Sequence, residues 1–114
     1  MRRQILEQTA LEVANQVRAV EDSIEAALIE LAELQNRMIR ARSVAGVGIS
    51  TGHGALEQVA VSLQALVHAR GGMANCHSQL VEAKQRVPGL RTVAFGDGVE
   101  CPPPGALGPL RVVA

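Results

Sequence analysis

Leu6, Ala10, Val13, Val17, Val20, Ile24, Ala27, Leu31, Leu34, Met38 and Ala41 are spaced alternately four and three residues apart. A three–four apolar repeat sustained over about five heptads is the a/d seam of a coiled coil. A seam that long has to be covered along its whole length. Only one other segment of the chain can do it, so the repeat restricts the fold more than any other feature.

The repeat predicts a first helix over about residues 3–42, with Arg37, Arg40 and Arg42 near its end, where cations favour the helix dipole. Residues 43–54 contain Gly46, Gly48, Gly52 and Gly54, too many for a helix to survive. A second helix is expected over about residues 55–87, stopped by Pro88-Gly89. Residues 88–114 hold Pro102-Pro103-Pro104, Gly105, Gly108 and Pro109 and read as an extended or disordered tail. A short strand at 91–95, ending in the turn-like Gly96-Asp97-Gly98, is its one regular candidate. The expected fold is therefore all-α, a long antiparallel two-helix hairpin over residues 1–87 followed by a Pro/Gly-rich tail.

Folding the chain at the Gly-rich loop with Ala41 opposite Leu56 gives layers of Met38 with Val59, Leu34 with Leu63 and Leu31 with Leu66. The same register continues to Ile24 with Met73, Val17 with Leu80 and Ala10 with Val87 without an insertion. Three layers break the pattern by placing Arg70, His77 and Lys84 on the second seam. A slight rotation of that helix would bring Ala69, Cys76 and Ala83 inward and let the charged groups snorkel out, leaving His77 at the seam edge. Gly71-Gly72, costly inside a helix, marks a kink or a close approach of another backbone.

Beside the second seam runs another apolar stripe, Ala60, Val67, Ala74 and Val81, while Gln58, Gln64, Gln79 and Gln85 belong to the outer face. A two-helix hairpin alone buries too little to offset conformational entropy. The stripe is therefore expected to be an oligomer interface, most simply a C2 dimer forming a four-helix bundle. Leu90, Val93 and Phe95 are the apolar anchors with which the tail would dock on a protein partner.

Little in the chain points to chemistry. The formal charge balances at +0, which argues against nucleic-acid or membrane-surface partners that need a basic field. Phe95 is the only aromatic; Arg2 and Arg3 precede no apolar signal region, and no apolar run reaches the length of a membrane span. Cys76 and Cys101 lack C-x-x-C spacing and read as reduced thiols of a cytoplasmic protein. The loop from Gly46 to Gly54 has glycines but neither the Gly-Lys-Ser/Thr ending nor the preceding strand of a phosphate loop, so it is expected to be a flexible hairpin turn. His68 and His77, nine apart, fall on opposite sides of a helix and cannot share a metal. No metal, cofactor or catalytic group is expected.

Two family resemblances bear on function. The stretch from Val17 to Met38 is similar to the long first helix of the all-helical chorismate mutases, with Arg18 and Arg37 in place of the family's arginines. The spacing of those arginines differs, however, no lysine follows before Lys84, and the third helix is missing. A dianion site cannot lose a cation cheaply, so the enzyme reading comes last. The whole layout, a hairpin followed by Gly89-Leu90-Arg91-Thr92-Val93-Ala94-Phe95-Gly96-Asp97 and Cys101-Pro102-Pro103, resembles small bacteriophage and prophage helical-hairpin proteins. That likeness implies a structural or adaptor role, virion-associated if phage-derived. The alternative is a regulatory module that engages a protein through hairpin or tail.

Overall fold

The structure, a computed structural model, describes residues 2–90, so the expected strand at 91–95, Val93, Phe95, Cys101 and most of the tail lie outside the described residues. It is all-helical: α1 spans Arg2–Ala45 and α2 spans His53–Lys84. Together they make a helical hairpin. Nothing in α1 opposes helix, since its 44 residues include neither Gly nor Pro. Ion pairs at i,i+4 spacing brace α1, Arg3 with Glu7 at 3.1 Å and Glu33 with Arg37 at 2.9 Å, and Glu82 with Arg86 at 3.3 Å ties the end of α2 to the turn after it.

Both helices depart from their expected bounds where a glycine sets the end. α1 continues through Ser43, Val44 and Ala45 until Gly46, at φ +69°, takes the left-handed conformation that closes a helix. α2 begins two residues early, at His53, and gives way after Lys84 to i→i+3 bonds from Gln85, Arg86 and Val87 to the carbonyls of Glu82, Ala83 and Lys84. Pro88 and Gly89 then form a turn in which the Leu90 N–H donates to the Val87 carbonyl at 3.1 Å. Proline second and a glycine at φ +91° third are the residues a type II turn demands. The turn carries Leu90 into a buried position. Leu90 therefore belongs to the hairpin core instead of the docking tail.

The described chain divides into two compact units. In the unit of residues 2–18 with 74–90, the start of α1 lies beside the end of α2: a Cβ added to Gly89 would sit 3.9 Å from Leu6 Cδ2. In Ala19–Met73, Arg70 Nε and Nη2 both donate to Glu25 Oε1, at 3.0 and 2.9 Å. Arg70, expected opposite Ala27, thus reaches a residue half a turn away in an antiparallel pair.

One of the two rows of the α1 seam holds, and the other is shifted in part by one residue. Val17, Ile24, Leu31 and Met38 are buried or half-buried as the repeat requires, but their companions are Ala14, Glu21, Leu28, Gln35 and Arg42. Val13, Leu34 and Ala41 of the expected row are exposed, while Val20 and Ala27 stay half-buried. The shifted set keeps the same three–four spacing, so the periodicity alone could not choose between the two rows.

On α2 the expected rotation holds only in part: Arg70 is exposed and Cys76 half-buried, as it would leave them. Leu56, Val59, Leu63, Leu66, Met73, Leu80 and Val87 hold the strict seam, and Ala69 and Ala83 stay in solvent. His77 is 2% exposed and Lys84 7%, so His77 is no edge residue: among the described residues it is the largest fully buried side chain. Neither residue is without a partner, although the buried His77 Nε2 has no hydrogen-bond partner of its own. The physical reason is volume. Near its start α1 turns the small Ala10 and Ala14 inward between Leu6 and Val17, and an imidazole and a lysine stem fill space that Ala83 could not. Gly71 and Gly72 lie inside α2, and a Cβ at either would meet nothing within 4 Å, so no backbone approaches there.

Candidate interaction surfaces

The expected oligomer stripe is only partly available. Ala60, Val67 and Ala74 are exposed, Val67 by 53%, whereas Val81 is half-buried in the hairpin itself. Val81 follows Leu80 on the seam and leans into it, so it is a poor interface residue. Beyond the stripe, α2 has a second apolar feature: Val61 and Ala65 are exposed and line a shallow groove of about 590 Å³ with Ala60, Gln64 and His68. Sequence reasoning assigned this face to glutamines. The missed signal was the i,i+4 pair Val61 and Ala65, which flanks Gln64.

The loop between the helices is a built structure. The Thr51 N–H donates to the Gly48 carbonyl at 3.1 Å and the His53 N–H to that of Ser50 at 3.2 Å. Arg42, in the last turn of α1, donates from Nη1 to the Val47 carbonyl at 2.9 Å and so ties the loop to the helix that precedes it. Between the helix ends and the loop lies a cavity of about 560 Å³ lined mainly by Met38, Ile39, Val47, Ile49 and Leu56, with Arg42 and His53 as its ionisable members. His53 Nε2 is 3.1 Å from Glu57 Oε1. The volume suits a small apolar group.

His53, exposed at the loop, His68 on the outer face and His77 inside the seam are not brought together, and no group of three metal-ligating side chains occurs among the described residues. Cys76 is a free, half-buried thiol next to His77. No described helix is long and apolar enough to cross a membrane. No protein family, curated protein or solved structure matches the chain.

Proposed function

We propose that the chain is a non-enzymatic structural or adaptor protein that acts by helix–helix self-association, with a dimer forming a four-helix bundle as its simplest assembly. One observation carries this reading. Among the described residues only Ala14, Val17, Val59 and Leu90 are buried apolar side chains, while Ile29, Val61 and Val67 on the helices stay exposed. A hairpin with so small a core stands near the limit of what folds alone, and a second copy would supply the missing burial. Ala60, Val67 and Ala74 are small enough to let a neighbouring helix approach closely. The resemblance to phage and prophage hairpins supports an assembly role, in a virion or in the host cytoplasm.

Light scattering on the purified protein tests the proposal. A stable oligomer that Val67→Glu converts to a folded monomer is the expected result, because the new carboxylate would be buried unpaired. A folded wild-type monomer at high concentration refutes it. The second reading, a regulatory module engaging a protein partner, draws on the apolar cavity beside the loop and predicts that monomer.

A further inference from the structure

The balanced total charge hides a local asymmetry. From Leu34 to Leu56 the chain carries Arg37, Arg40, Arg42 and His53 and not one acidic residue. Arg37 is paired with Glu33 at 2.9 Å, but Arg40 is exposed, and Arg42 spends one donor on a backbone carbonyl. The same stretch holds Val44 at 82% and Ile49 at 81% exposure, the highest values of any large apolar side chain described. Two protruding aliphatic side chains beside arginines without acidic neighbours make a surface feature formed by the last turns of α1 and the loop that hydrogen bonds hold in shape.

We propose that the end of α1 and this loop dock on an anionic lipid surface, with Val44 and Ile49 entering the headgroup–acyl boundary and Arg40 and Arg42 meeting lipid phosphates or carboxylates. Charge complementarity selects the partner: basic side chains flanking exposed apolar ones are what an interfacial anchor combines. Size argues against a protein at this spot. A stable protein interface takes about 20–30 residues a side. The loop between the helices has only the residues from Gly46 to Gly52. The contact is peripheral and independent of self-association, which is measured without lipid.

Co-sedimentation of the full chain with phosphatidylcholine vesicles, with and without phosphatidylserine, tests the idea. Binding to the serine-containing vesicles alone is expected, weakened when ~1 M salt cuts the screening length to about 3 Å. Arg40→Gln should lower partitioning about fivefold, and Val44→Asp with Ile49→Asp should remove it while circular dichroism stays unchanged. Ile29→Asp, at another exposed apolar site on α1 (68%) away from the loop, should bind like the wild type. Failure to bind either vesicle overturns the proposal and leaves the loop to a protein contact. So does an Ile29→Asp defect as large as that of Ile49→Asp, which would mean that the helix faces bind.

Discussion

His68 and His77 stand nine residues apart on α2, yet one faces solvent and the other is 2% exposed. Their substitution should separate accordingly. His68→Ala is expected to shift unfolding by less than about 0.5 kcal/mol, and His77→Ala to cost about 1–3 kcal/mol by opening a cavity, both read from urea denaturation. The opposite sign is expected at Gly71 and Gly72. Each sits inside a helix with open space where a Cβ would go, so Gly71→Ala and Gly72→Ala should each stabilise by about 0.5–1 kcal/mol. A loss of stability at either position would mean that the backbone there is not helical in solution.

For α1, the partial one-residue shift of one seam row makes a sharp prediction. Leu28 is half-buried and Leu34 is 46% exposed, although the apolar repeat favours Leu34 for the core. Leu28→Ala should therefore cost about 1–3 kcal/mol and Leu34→Ala under about 1, as thermal melts would show. Equal losses would restore the original row. Leu31 and Leu66 are both half-buried, so alanine at either should cost less than the roughly 2–5 kcal/mol of a fully buried leucine. The Glu25–Arg70 pair reports antiparallel order more than stability. Its side chains are more than half exposed, and a double-mutant cycle should give no more than about 1 kcal/mol.

In the whole molecule, self-association and folding should be linked. If the exposed face of α2 is covered only in an oligomer, the thermal midpoint will rise with protein concentration, by mass action. Val67→Glu should abolish that dependence and lower the midpoint, with Ala74→Glu as an independent check at a second exposed position of the same stripe. A midpoint that ignores concentration in the wild type would mean that the hairpin is stable alone. Val81→Glu is not a clean probe, because its half-buried side chain would also disturb the hairpin.

Periodicity and punctuation made the two helices, their antiparallel order and the position of the turn legible in the sequence, since a long three–four repeat without Gly or Pro has no other regular solution. The available face of α2 was half legible: Ala60, Val67 and Ala74 could be read, but Val61 and Ala65 were hidden among glutamines. Which of two equally spaced rows α1 turns inward was not written there, because both rows keep the heptad and differ by a single residue. Tertiary packing decided that, and with it the fate of His77 and Lys84. A charged or polar residue at a seam position is buried or expelled according to the volume that the opposite helix leaves open, and that volume exists only once the helices have met.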